Sequence, residues 1–499
     1  VRAESARTGA AGLARDIGLL GLVATGICSM IGAAINVIPF MIQRTVPGIG
    51  PYVLPAFVLG ALPAVLAGFA YAILASAMPR AGGSYVCASR ALSPYLGFVA
   101  SFSQWFGLSI AIGVVAYVLI PFLRDIAAAL GWTKVAATFD RGPVRLTLAL
   151  AFLWAFVAVN LRGLRSYQRT LIPLMFLMFV LGSIAIVAGF WFDQEAFARA
   201  VLAREGQRVP VDAEAAFSLG TFLPASAILF SSFIGFDSIA QAGGEAKNPG
   251  RSLPLAIGIA ILVVGTFYLL FTAAVYHTVP WAYVAEQAMH RDLTAPGLLG
   301  YLLPVGWAVA IVAGAAVALT NDLPAMLLAV SRLMFAWAED GVFPRVVARV
   351  HPRRHTPQVA LVVSGLMASV GVIGSHLAGD FFLGVDILVT SMLVNFLLMC
   401  AAVLTLPSRN PALAQAVRVM TSRGVQRALG IAGVVVLGVF LAVHVARDLS
   451  SPVSAWYFRS TPVWLGVMAM ATAVYLWEVR RLRRRGVDLA AVFATLPPE

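Results

Sequence analysis

Along its whole length the chain alternates long apolar stretches with short polar, often basic, ones. The apolar stretches fall at 17–43, 50–78, 94–123, 143–160, 170–190, 216–241, 252–276, 297–338, 358–376, 382–406, 428–446 and 460–480. Each approaches or exceeds the roughly 20 residues a helix needs to cross about 30 Å of hydrocarbon, and none shows the two-residue alternation of a barrel strand. The pattern therefore predicts an all-α polytopic membrane protein with twelve transmembrane helices. Span three is expected to end near Pro121 and Arg124, and span eight to extend beyond the bilayer. An even number of spans puts both termini on one side.

Two of these stretches are interrupted. In span one, Gly21 to Phe40 carries small residues, then Asn36 and Pro39, near its middle, and a break is expected over Gly32 to Asn36. Lipid offers no partner for a free backbone N–H or C=O, so such a break is tolerable only where it is buried in protein or lines a watery cavity. Span six repeats the device with Ser231, Ser232 and Gly235 inside an apolar run. Five spans separate the two. Paired broken helices at matching positions in two halves point to a secondary transporter built as a five-plus-five inverted repeat, with 17–190 and 216–406 as the repeats. The remainder divides into a tail at 1–16, a loop at 191–215, two peripheral helices with their loops at 407–480 and a tail at 481–499. Half-helix starts expose N–H groups that attract a carboxylate, and half-helix ends expose C=O groups that attract an ammonium or a cation. Two such breaks can hold a zwitterion without a charged side chain.

Charge fixes the orientation. Arg80, Arg90, Arg162, Arg165, Arg169, Lys247, Arg251, Arg345, Arg349, Arg353, Arg354 and the Arg480–Arg485 run share one side with Arg2, Arg7 and Arg15, which predicts cytoplasmic N- and C-termini. Lys134, Arg141 and Arg145 lie against that bias. The same distribution removes nucleic acid from consideration, although the formal charge is +13. Only 11% of residues are charged, against 60% hydrophobic, far from soluble usage. Lipid is the expected macroscopic partner, with the terminal Arg run able to meet anionic headgroups. Residues 1–16 show no cleavable signal pattern, so the first span is expected to direct insertion.

Candidate chemistry inside the membrane is sparse. Cys28, Cys87 and Cys400 have no metal-ligand spacing and read as buried hydrophobes. His277 and His290 read as interface and loop residues. Asp237, just past the second break, is open to coupling or gating and equally to structural pairing; Asp322, beside Asn321 in span eight, has the same two readings. Asp386 is expected at the outer mouth. No clustered His/Glu set or nucleophile–base pair suggests an enzyme, and no metal or cofactor is expected.

Four segments carry a resemblance. Ile31-Gly-Ala-Ala-Ile35, Met78-Pro-Arg-Ala-Gly-Gly-Ser-Tyr85, Phe233-Ile-Gly-Phe-Asp237 continued by Glu245-Ala-Lys-Asn-Pro-Gly-Arg-Ser-Leu-Pro254, and Ser331-Arg332 with Glu339-Asp-Gly-Val-Phe-Pro344 resemble the amino acid, polyamine and organocation transporter superfamily, most of all its bacterial amino acid permeases. The resemblance implies cargo held between spans one and six in a bacterial cytoplasmic membrane. It places the cargo carboxylate on the amides of Gly32, Ala33 and Ala34, and the amine on the carbonyls of Met30, Ser231 and Ile234. Asn36, Phe230, Phe233 and Asp237 become pocket or gate candidates. Ala34 stands where relatives commonly have Gly, Asn36 where they have an aromatic, and Ser231 where many have a bulky group. These departures imply a substrate that is larger or differently shaped, such as an amino acid derivative.

Coupling is left between H+, Na+ and exchange. The membrane part of span five has no Lys, whereas some relatives use one there, and a sodium site would draw on Thr320 and Asp322. The loops Pro79–Tyr85 and Glu245–Arg251 are open to a gating role or to simple anchoring. The expected function is ion-coupled uptake of an amino acid or derivative by alternating access. The alternatives are an exchanger, a polyamine carrier, or a non-transporting sensor or scaffold on the same fold. Oligomeric state is left open.

Overall fold

The computed structural model describes residues 13–210, 215–378, 382–451 and 455–497. Parts of the two expected tails and of the 191–215 loop, including Arg2, Arg7, Asp212 and Glu214, lie outside the described residues.

Twelve helices are long and apolar enough to cross a membrane: Leu19–Thr45, Gly50–Ala77, Pro94–Ala129, Gly142–Leu161, Leu164–Trp191, Leu219–Gln241, Pro249–Thr278, Val305–Glu339, Gln358–Ala378, Phe382–Arg409, Arg423–Ser450 and Ser460–Arg484. They coincide one for one with the apolar stretches of the sequence. Three ends differ. Span three runs through Pro121 and Arg124 to Ala129, because one missing N–H leaves a single carbonyl to be satisfied elsewhere and does not end a packed helix. Its Arg124 pairs with Asp125 and Asp140 at 2.8 and 2.9 Å. Span eight begins at Val305, and its expected extension is a separate short helix, Ala295–Leu299. Span twelve continues to Arg484, carrying part of the terminal Arg run.

Burial sorts the helices into a centre and a rim. Spans one, three and eight have 94%, 89% and 83% of their apolar windows inside the protein, whereas spans four, five, eleven and twelve have 28% or less. The rim helices present Leu, Val and aromatic side chains outward, as lipid requires. Span eleven packs on spans ten and two, and span twelve on spans ten and three. Residues Gln194–Glu205 form a surface helix in the loop after span five, capped by Asp193, whose carboxylate accepts from Ala196 N at 2.7 Å. On that side of the protein Arg145 stacks 3.9 Å from the ring centre of Tyr117.

The chain ends share one face. Ile17 pairs with Glu245 and Lys247 through backbone hydrogen bonds of 2.9 and 2.8 Å. On the same face, the last described residues fold back so that Arg80 and Arg90 donate to the carbonyls of Pro497 and Thr495.

Candidate functional site

Span one stops being helical at two residues. The first half-helix ends at Met30, Ile31 is extended, Gly32 adopts φ −139° and ψ −131°, and the second half-helix runs Ala33–Thr45. The break is narrower than the Gly32–Asn36 expectation. Asn36 already lies in the new helix, where its amide donates to the Gly32 carbonyl at 3.3 Å. Span six loosens over a longer stretch: Leu219–Leu229 is α-helical, Phe230–Phe233 is a 3-10 turn, Ile234 is extended and Gly235 has φ +135°. Gly235 is where the two breaks meet, since a Cβ there would lie 2.2 Å from the Ser29 carbonyl oxygen. Positive φ and the close approach both demand glycine.

A cavity of about 620 Å³, including its opening, lies between the breaks. Its lining brings together Met30, Ala34, Ser231, Ile234 and Asp322 from the sequence candidates. Ser29 and Met326 join them, with Val37 and Ile38 of span one and Val, Leu, Ala and Gly residues of spans three and ten. Val37, Ile38, Val118 and Val385 lie along the halves of their spans remote from the chain termini, so the cavity extends toward the opposite face. Gly32 lies against Asp322 of the lining without lining the cavity itself, and the Ala33 backbone begins the half-helix beside it.

The other candidates fall elsewhere. Asn36 lines a second recess of about 300 Å³, including its opening, between spans one, five, seven and eight. Phe230 packs edge-on to Phe396, and Phe233 against Phe57 and Tyr268. Thr320 is half-buried on span eight and does not line the main cavity. Asp386 lines a recess near the remote face and faces Arg447 at 3.4 Å.

Asp237 is fully buried behind the break. One carboxylate oxygen accepts from the Gly235 amide at 3.1 Å, and the other from the side-chain amide of Gln104 in span three. The Gln104 carbonyl in turn accepts from Ser84 at 2.5 Å, Asn395 at 2.7 Å and Gln241 at 3.2 Å, and Tyr71 donates to Asn395 at 2.9 Å. Asp237 thus braces the unwound segment from behind. Gln104 was not singled out in the sequence; the available signal was an uncharged amide in an otherwise apolar span.

Among the expected carbonyl ligands, Met30 O already accepts from the Tyr268 hydroxyl and Ser231 O from the Ile234 amide at 3.3 Å. A carbonyl has a second lone pair, so both retain acceptor capacity. Asn321 ties span eight to spans one and five, its amide donating to Cys28 Sγ at 2.8 Å and Leu171 O at 3.4 Å.

The face bearing the termini is shut. Arg332 makes a two-pronged ion pair with Glu245, at 3.0 and 2.7 Å, with both side chains at most 2% exposed. Arg90 grips Asp340 in the same way at 2.5 and 3.0 Å. Ala81 bridges Ala242, and Gly82 N donates to Gln241 O at 3.1 Å. The Pro79–Tyr85 loop, the end of span six and the end of span eight are therefore stitched together. Arg332 is thus a buried cation, seven residues before the end of span eight at Glu339.

An amino acid permease profile matches residues 17–470. The branched-chain amino acid permease BcaP of Bacillus subtilis (strain 168) is 27% identical over 424 residues, which cover 83% of this chain and 85% of that protein. The cationic amino acid transporter 4 of Mus musculus is 27% identical over 71% of the chain, and the vacuolar cationic amino acid transporter 4 of Arabidopsis thaliana 26% identical over 72%. The matches span 54% and 58% of those two longer proteins. With a broken first span, twelve membrane helices and a profile match over nearly its full length, the chain belongs to the amino acid permease family, within the amino acid, polyamine and organocation superfamily of secondary active transporters.

Proposed function

We propose that the protein takes up an amino acid or amino acid derivative across a bacterial cytoplasmic membrane by alternating access, with its two repeats inverted relative to one another and both termini in the cytoplasm. The observation that carries this reading is the abutment of the two helix breaks, Ser29 against Gly235, with a cavity opening directly beside them. The amides at Gly32, Ala33 and Ala34 form the anion-accepting end, and the carbonyls of Met30, Ser231 and Ile234 the cation-accepting end. Asn36, Phe230 and Phe233 stand around this site rather than in it, and their part is to hold the breaks in shape as the halves move. In the orientation proposed, the cavity faces the outside and the Arg332–Glu245 and Arg90–Asp340 pairs close the inside. Opening to the cytoplasm then requires those pairs to part while the outer halves of spans one, three and ten close. The branched-chain preference in the name of the Bacillus relative suits a cavity walled by Val, Ile, Leu and Met.

Ala34→Val tests the placement. Its extra methyl groups enter the cavity beside the first-turn amides and are expected to weaken cargo binding by about tenfold or more, with the unfolding temperature little changed. Unaltered affinity in a binding assay would put the site elsewhere. Repeating the assay without sodium and across pH assigns the coupling ion.

A further inference from the structure

The cavity has an anion of its own. Among the described residues that line it, Asp322 is the one charged side chain, and it is 5% exposed. Its carboxylate stands over the span-one break: a Cβ on Gly32 would lie 2.2 Å from Oδ2 and 2.9 Å from the carboxyl carbon. That is the mouth of the half-helix Ala33–Thr45, where first-turn amides favour negative charge. The other oxygen, Oδ1, is buried and has no hydrogen-bond partner among the described residues, and the Ser29 hydroxyl of the same cavity lining has none either. The remaining polar side chain of the lining, Ser231, spends its proton on the Ile228 carbonyl at 2.6 Å. An ionised carboxylate buried without a counter-charge is costly, and nothing in the lining supplies one. The end of the site suited to a cargo carboxylate is therefore already held by the protein, and the missing partner is a cation.

Resting on the location of the cargo site proposed above, and replacing its seat for a cargo carboxylate on the Gly32–Ala34 amides, we propose that Asp322 is the specificity-determining residue of this permease: with Ser29 it takes the ammonium of the cargo, so the site accepts primary amines with an apolar body whether or not they carry a carboxylate. The apolar body follows from the Val115, Val118, Leu388 and Met326 walls. A carboxylate on the cargo adds little, because Asp322 lies over the amides that would bind it.

Calorimetric titration of the purified full chain with leucine, leucinamide, 3-methylbutylamine and 4-methylpentanoate separates the two ends of the cargo on one hydrocarbon body. Leucinamide and 3-methylbutylamine are expected to bind within about threefold of leucine or more tightly, and 4-methylpentanoate at least about tenfold more weakly. Asp322→Asn is expected to weaken both amines by about tenfold or more, and Asp322→Glu to restore part of the loss. Leucine binding accompanied by a tenfold or greater loss for both carboxylate-free amines would overturn the inference and leave the zwitterion site standing. Equal amine affinity in wild type and Asp322→Asn would overturn it as well, as would absence of binding by all four compounds. Tight amine binding that Ala34→Val leaves untouched would instead overturn the placement of the site. The ligand comparison is made on the unaltered protein, so a failure of Asp322→Asn to fold does not remove the test.

Discussion

Gln104 holds one oxygen of Asp237 while accepting from Ser84, Asn395 and Gln241. Removing its amide leaves a fully buried carboxylate oxygen without its donor, which costs about 1–3 kcal/mol. Gln104→Leu keeps the volume and loses the donor, so it is expected to lower the unfolding temperature by several degrees; an unchanged melt would show that the network adds nothing to the fold. Cys87, in the short helix Gly83–Ala91, offers a second test. Burial pushes its thiol up to about 12, with Arg90 drawing it partly back. Below that pH the folded protein holds it as the unreactive thiol. Maleimide at pH 8 is expected to leave Cys87 unlabelled until denaturant is added, and rapid labelling of the native protein would mean that this helix opens. Asp237 was legible in the sequence as a carboxylate beside a break. Its partner was not, because that donor comes from span three, 133 residues away.

At the scale of the element, hydropathy alone located all twelve spans, since lipid demands an unbroken apolar helix and admits little else. Composition also marked both interruptions, but not their extent. Residues 33–36 regain helical geometry because the first half-helix needs only Ile31 and Gly32 to turn away and start again. Hidden from a linear reading was which interior side chains would meet: Asp322 and Gly32 are far apart in sequence, and the partner of Arg332 lies at the end of span six. The Arg332–Glu245 pair makes a prediction about closure. Breaking a buried pair by removing one partner costs about 3–5 kcal/mol, whereas removing both costs less than the sum. Arg332→Ala and Glu245→Ala are each expected to expose Ser231→Cys to a membrane-impermeant thiol reagent applied from the face bearing the termini. The double replacement should lose less thermal stability than the two single losses added. Additive losses with no change in labelling would show that the pair is not part of the seal.

For the whole molecule, the buried helices supply a packed centre, and the two breaks meet beside a cavity, the place proposed for the cargo. One face is sealed by paired charges and loop bridges, while the cavity runs toward the other. Alternating access follows if cargo in the cavity stabilises an exchange of those two conditions. The family was legible because its motifs fall on the loops and breaks that form the seal and the site. The proposed cargo preference was less so, because it rests on Asp322 from span eight lining the same cavity as Met30 and Ala34 of span one. The decisive measurement is solute counterflow in proteoliposomes over a broad panel of amino acids and amines, with wild type and Ala34→Val compared at equal amounts of folded protein. Saturable counterflow of at least one amine-bearing solute, reduced by about tenfold or more in Ala34→Val, is the expected result; counterflow indifferent to that substitution, or none across the panel, would contradict a cargo site between the two broken helices.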